Sequence, residues 1–156
     1  MTRVAARHAD VVVLNLVPPE HVAEVRATID AEAAAAGRPA PSLAVWVPAA
    51  LDPGNAARIQ LASQLAAYLG APGYGEMFAE LGFGALVERV RSGARRAELA
   101  ADVPLELVQR IGAVGSAEVV AARVAAYHDA GADRVGIAPS TAEDPGGLGV
   151  LRAGAG

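Results

Sequence analysis

The chain has 156 residues, 53% of them hydrophobic and 19% charged, with a formal net charge of −4. That is one domain's length, and it is too apolar for a disordered chain. The acidic balance excludes the basic stripe of a nucleic-acid binder, and there is no polybasic membrane-surface segment. Cysteine is absent, which excludes disulfides, thiolate chemistry and Cys-ligated metals and is compatible with a cytoplasmic protein.

All 13 cationic side chains are arginine, so no lysine can form a Schiff base or serve a P-loop. The longest uncharged stretch, residues 59–75, contains Gly70, Pro72 and Gly73. It reads as a buried helix followed by a turn, not as a membrane span. His8, His21 and His128 show no metal spacing, so no metal site is expected.

In chain order, the first strand is expected at Val11–Leu14, a continuous β-branched and aliphatic run of the kind buried in a parallel sheet. Pro18-Pro19-Glu20 opens a helix whose Val22, Val25, Ile29 and Ala33 share one face, with Gly37 as its C′ residue. A second strand follows at Leu43–Val47. Asp52-Pro53 reads as N-cap and N1 of a helix running to about Gly70. A helical excursion then spans about Gly75 to Ile111. Ser116 is the expected N-cap of a helix whose Val120, Val124 and Tyr127 face one way and which Gly131 ends. A third, weaker strand is expected at Arg134–Ile137, before a short final helix. Strands alternating with helices imply right-handed βαβ crossovers and a parallel α/β sheet, in a single domain covering residues 1–156. Three strands are far fewer than the eight of a closed (β/α)8 barrel.

Particular segments carry a family resemblance. Arg3-Val4-Ala5-Ala6-Arg7-His8-Ala9-Asp10-Val11-Val12-Val13-Leu14-Asn15 resembles a late helix and strand of luciferase-like monooxygenases, whose members use FMN or the deazaflavin coenzyme F-420. Gly115-Ser116-Ala117-Glu118 through Tyr127, with Ala130-Gly131-Ala132-Asp133-Arg134-Val135, is similar to the helix and strand that finish that family's barrel. Between them, Tyr68-Leu69-Gly70-Ala71-Pro72-Gly73-Tyr74 and Phe78-Ala79-Glu80-Leu81-Gly82-Phe83 resemble a variable helical insertion of one branch. The resemblance implies a partial (β/α)8 TIM-type barrel, roughly the last three of eight strands, with surrounding helices. It implies the C-terminal segment of a flavin- or deazaflavin-dependent oxidoreductase that transfers hydride to or from a small organic substrate or inserts oxygen into it. The family's early strands and phosphate-binding loop lie outside the matched segments, so the expectation is inactivity without them. The alternative is a non-catalytic partial barrel that self-associates or complements a separate N-terminal chain; nucleic-acid and membrane partners are not expected.

Active sites of such barrels lie at the C-terminal ends of the strands. Asn15 sits at such an end. Its amide could bond a flavin edge or order a substrate, or simply cap the strand-to-helix turn. Arg91, Arg95 and Arg96 fall in the insertion and could grip an anionic substrate bidentately. They could equally form a solvated helix face paired with Glu88 and Glu98. Tyr68, Tyr74, Phe78 and Phe83 form either an aromatic wall over a flavin ring or core. Asp144-Pro145-Gly146-Gly147 reads as a turn more readily than as a phosphate site, because Glu143 and Asp144 would repel the anion.

Overall fold

The structure, a computed structural model, describes residues 2–155. Among these, helices α1 (Thr2–His8), α2 (Pro19–Ala35), α3 (Asn55–Ala66), α8 (Ala117–Asp129) and α9 (Leu148–Gly154) accompany strands β1 (Val11–Asn15), β2 (Ser42–Leu51), β3 (Ala113–Gly115) and β4 (Arg134–Pro139). Between α3 and β3 lie α4 (Tyr74–Phe78), a π-helical turn (Ala79–Phe83), α5 (Gly84–Arg91), α6 (Arg96–Asp102) and α7 (Leu105–Ile111).

All pairings are parallel, and β2 is the central strand. Its residues Ser42–Trp46 pair with β1, Ala44–Ala49 with β4, and Ala49–Leu51 with β3. Val45 pairs with both Leu14 and Val135, and Ala49 with both Ala113 and Pro139. Hence β1 and β3 share one edge of β2, β3 prolonging the line of β1, and β4 holds the other edge. The three expected strands are present, and β2 runs four residues further than its expected end. The strand missed in the sequence is β3, whose three residues are too short to show a period of 2.

Parallel strands that pair residue for residue point partners to the same side. One face of the sheet carries Val12, Leu14, Leu43, Val45, Val47, Val135 and Ile137. Helices α8 and α9 lie on β2 and β4, α1 lies on β1, and α2 packs on α1 and α8. Val22, Ile29, Leu43, Val45, Val47 and Tyr127 are each 0% exposed there. The expected apolar face of α2 is the buried one: Val22, Val25, Ile29 and Ala33. Gly37 adopts φ +67°, and the amides of Gly37 and Arg38 donate to Ala34 O and Ala33 O at 3.0 and 3.1 Å. That is the left-handed helix stop for which glycine is suited. The same device ends α8, where Gly131 has φ +98°.

The start of α3 differs from expectation. Gly54, not Asp52, is its N-cap. Asp52 instead has φ +40°, and its amide donates to Gly115 O at 2.8 Å. The hydrogen bond to β3 extends the sheet ladder through Asp52, so the helix cannot begin until two residues later.

Candidate active-site face

The second face of the sheet is built from the alternate residues: Val11, Val13 and Asn15 on β1, Ala44 and Trp46 on β2, and Gly136 and Ala138 on β4. No helix covers its N-terminal half among the described residues. Val13 is 54% exposed and Trp46, the chain's single tryptophan, is 60% exposed. A Cβ on Gly136 would stand 3.3 Å from Trp46 Cδ1 and 3.6 Å from Nε1. The indole therefore leans across the bare backbone of β4, and glycine leaves it the room. Gly136, inside β4, thus serves as a seat for the neighbouring ring.

Among the described residues, two that are not glycine have positive φ: Leu16 at +54° and Asp52 at +40°. Each directly follows a strand, β1 or β2. Such conformations cost energy for side-chain-bearing residues and concentrate where function fixes the backbone. Both lie at the strand ends where (β/α) architectures put their chemistry. Beside Asp52 is a shallow cleft of about 330 Å³ lined by Asp52, Pro53, Arg58, Leu105, Gln109 and Gly115.

The insertion closes over this end of the sheet. Its aromatic residues Tyr68 and Tyr74 meet edge to face at 5.2 Å, and Tyr74 lies 6.1 Å from Phe78. Phe78 is fully buried, whereas Tyr68, Tyr74 and Phe83 are half-buried. Asn15 is a polar neighbour of the Tyr74 phenol. Burial raises that phenol above the ordinary tyrosine range, Asn15 opposes the rise, and Tyr68 adds to it. The nearness of Asn15 to Tyr74 was not legible in the sequence, because the two residues are far apart in the chain and belong to elements with no shared period.

The return of the insertion is fixed by Tyr127 on α8. Its hydroxyl lies 2.8 Å from Val17 O and 2.9 Å from Ile111 O, so it ties the loop after β1 to the end of α7. Desolvation drives this phenol far above its usual range, with Arg123 opposing and Glu20 adding.

The three arginines singled out in the sequence are not gathered at one point. Arg91 pairs with Glu88 at 2.6 Å, Arg95 Nε donates to Glu98 at 2.8 Å, and Arg96 donates to the Ser63 carbonyl at 3.0 Å. All three are exposed. His21 lies 3.4 Å from Glu24, and His128 Nδ1 lies 2.9 Å from Ala132 O. No group of His, Asp and Glu suited to a metal is found among the described residues.

The loop after β4 is pinned by side chains. Gln60 Oε1 accepts from Ser140 Oγ at 2.6 Å and from the amides of Thr141 and Ala142 at 3.0 and 3.1 Å. The Asp144 carboxylate accepts from the amides of Gly149 and Val150 at 3.1 and 3.0 Å, and these backbone bonds hold it below the usual carboxylate range. Glu143 accepts from Ala56 N at 3.2 Å at the start of α3. Both helix starts are thus satisfied by the chain's own carboxylates. Asp144 thus caps the helix that follows the Asp144-Pro145-Gly146-Gly147 turn and sets a carboxylate where a phosphate would sit.

Comparison with known proteins agrees with this architecture. Over 98% of its length the chain superposes on a coenzyme F420-dependent tetrahydromethanopterin reductase from Methanopyrus kandleri, with a TM-score of 0.72 and 16% identity. It superposes equally widely, with a TM-score of 0.66 and 14% identity, on an F420-dependent secondary alcohol dehydrogenase solved with an F420-acetone adduct. It spans 45% of each of those chains. At such identities the likeness establishes the fold, a portion of a TIM-type barrel, in which the uncovered sheet face is the one turned to the barrel interior. No curated protein sequence matches. The sequence profile of the luciferase-like monooxygenases matches residues 1–134, and the chain belongs to that family.

Proposed function

We propose that this chain forms the C-terminal wall of the pocket of a deazaflavin-dependent oxidoreductase acting on a small organic substrate, and that it needs further barrel strands to complete that pocket. The observation that carries this reading is the open sheet face, where Val13 and Trp46 are exposed and Asn15 ends β1 directly before the strained turn at Leu16. Both solved neighbours are F420-dependent enzymes, which favours deazaflavin over FMN.

The residues present fit one side of a flat ring system. Trp46 and Val13 offer an apolar wall, and Asn15 offers an amide for a ring-edge carbonyl or nitrogen. When bound, such a cofactor supplies two-electron hydride chemistry, and the protein contributes position and the exclusion of water. The two helix starts beside the loop after β4 are filled by Glu143 and Asp144 and offer the phosphate-bearing tail no cradle. Arg91, Arg95 and Arg96 remain proposed contacts for an anionic substrate, most readily if Arg91 and Arg95 exchange their glutamate partners for it.

The test is a titration of the purified chain with deazaflavin and with FMN, following quenching of Trp46 and solution mass together. Weak binding that tightens when the remaining barrel strands are supplied supports the proposal. Micromolar binding by the monomer overturns the need for those strands.

A second reading rests on the same face: a partial barrel that associates with itself or with an N-terminal chain. The outer edges of β1 and β4 have no strand partner among the described residues, and Val11 and Val13 beside one of them are exposed. Free edges and apolar patches favour association. A monomer at high concentration that does not bind a hydrophobic dye rules this reading out.

A further inference from the structure

A second recognition surface lies at the far end of β2, away from the open face. The cleft of about 330 Å³ there is lined by Asp52, Pro53, Arg58, Leu105, Gln109 and Gly115. It draws on the turn after β2 and on α3, α7 and β3. Trp46 is six residues back along the chain from Asp52, a separation of about 20 Å in extended backbone. A ligand lying on Trp46 and an occupant of this cleft therefore use different residues.

The walls are fixed by bonds that leave the charges of the cleft uncommitted. Asp52 N donates to Gly115 O at 2.8 Å, which joins the end of β2 to β3 and holds Asp52 at φ +40°. Arg58 Nε donates to Pro53 O at 3.1 Å, and Arg58 N to Gly54 O at 3.2 Å. Gln109 Nε2 reaches Val114 O at 3.5 Å, and Arg123 Nη2 donates to Gln109 O at 3.0 Å, so the end of α7 is tied to β3 and α8. A guanidinium carries its N–H donors in a planar fork. Only Nε is used here; Nη1 and Nη2 meet no acceptor among the described residues. The Asp52 carboxylate meets no donor among them either, and no ion pair joins it to Arg58, although both line the one cleft.

Opposite charges left apart in one cleft narrow the class of ligand. A simple anion is drawn to Arg58 and repelled by Asp52, and a simple cation the reverse. A sugar would want an aromatic face, and no lining residue is aromatic. The start of α3 does not compete for an anion, because Glu143 already accepts from Ala56 N at 3.2 Å. A zwitterion satisfies both groups, with a charge-assisted hydrogen bond at each end. The volume is at the lower end for small-molecule sites, and Leu105 and Pro53 add apolar surface. We propose that this cleft binds an α-amino acid with an aliphatic side chain. Its ammonium donates to Asp52, its carboxylate accepts from the Arg58 fork, and its side chain rests on Leu105 and Pro53. This site stands independently of the deazaflavin reading.

The experiment titrates the purified chain by NMR with L-leucine and two truncated relatives. It follows the Gln109 side-chain amide, the Arg58 Nε–H and the Gly115 amide. Isocaproate is leucine without the ammonium, and isoamylamine is leucine without the carboxylate. Saturable shifts are expected, with leucine binding roughly three- to tenfold more tightly than either relative at low salt. High salt should shrink that margin. Asparagine tolerates the left-handed backbone of residue 52, so Asp52→Asn is a fair probe. It should lower leucine to the level of isocaproate and weaken isoamylamine. Arg58→Gln should lower leucine to the level of isoamylamine and weaken isocaproate. Unfolding does not produce such crossed effects, and the urea midpoints of both variants should stay near that of wild type. Equal affinities for the three probes, no saturable shift, or an unchanged order in the variants each overturn the proposal. The comparison of probes on the wild-type chain needs no variant, so a variant that fails to fold does not shelter it. Because no deazaflavin is present, a negative result here leaves the cofactor reading standing. Failure of deazaflavin to bind likewise leaves this cleft to be judged by these shifts.

Discussion

Along β2, Leu43, Val45 and Val47 are each 0% exposed, while Trp46 between them is 60% exposed. The same ten-residue strand therefore presents two surfaces with different duties. The covered side is close-packed against α8 and α9, and its residues are chosen for volume. The open side carries the chain's single tryptophan, an asparagine, bare glycine backbone at Gly136 and a tyrosine reaching over from the insertion. Substitutions on the first side should cost stability and leave binding alone; on the second they should do the reverse.

The largest stability effect should come from the covered side. Leu43→Ala removes a fully buried side chain from the covered face of the sheet and leaves a cavity, at a cost of about 2–5 kcal/mol. The urea midpoint should fall with an unchanged slope. A loss of only a few tenths would mean that this face is not the packed core.

Tyr127 comes next and joins the two regions. Tyr127→Phe removes the buried hydroxyl whose single hydrogen is shared between Val17 O and Ile111 O and should cost about 1–3 kcal/mol. It also has a pH signature. Burial raises the Tyr127 phenol above its ordinary value of 10.0, so the folded chain holds that proton more tightly than the unfolded one. The stability from this group is complete below about pH 10 and is lost as pH rises toward the folded value. The gap between wild type and Tyr127→Phe should therefore be widest at neutral pH and close above pH 10. A constant gap across that range would show that the hydroxyl is not desolvated.

What the sequence revealed of these two sides was uneven. The covered face was legible because its signal is periodic: Val22, Val25, Ile29 and Ala33 recur at helical spacing, and Val11–Leu14 and Leu43–Val47 are short apolar runs. The family segments carried the barrel architecture. The open face was only half visible. Asn15 stood out by its place at a strand end, but Trp46 looked like one more apolar residue in a buried strand. Its exposure depends on what lies across the barrel, which no local pattern encodes. Tyr74 was read as wall or core, since contact with Asn15 depends on how the insertion folds back. β3 was missed because it becomes a strand only through β2, which runs on to Leu51 to meet it.

Trp46→Ala sharpens the comparison from the open side. With its ring mostly in solvent, the change should leave the unfolding free energy within about 0.5 kcal/mol of wild type. It should nonetheless remove the apolar wall on which a flat ligand would lie, and weaken ring binding markedly. Gly136→Ala is the gentler companion: a methyl 3.3 Å from Trp46 Cδ1 must tilt the indole, which the Trp46 emission would report while the urea midpoint barely moves. A large stability loss in either variant would place this face inside a packed core and erase the distinction.

The smallest effects belong to the insertion's arginines, and they test where scaffold ends and site begins. Arg91 and Glu88 are 58% and 66% exposed and three residues apart on one helix, a geometry worth less than about 0.5 kcal/mol. Arg91→Ala should lower stability slightly at low salt and not at all at 1 M salt, where the Debye length shrinks to about 3 Å. Arg95→Ala should behave alike, since its partner Glu98 is within the same first turn. Arg96→Ala should differ, because its bond to Ser63 O ties α6 to α3 and is not an ion pair; its loss should resist salt and speed amide exchange in α6. An anionic ligand that shifts the Arg91 and Arg95 side-chain resonances of the assembled barrel, in competition with Glu88 and Glu98, would move these two residues from the scaffold to the site. If added salt alone reproduces those shifts, they belong to a solvated helix face, and recognition on this chain rests with the open face of the sheet.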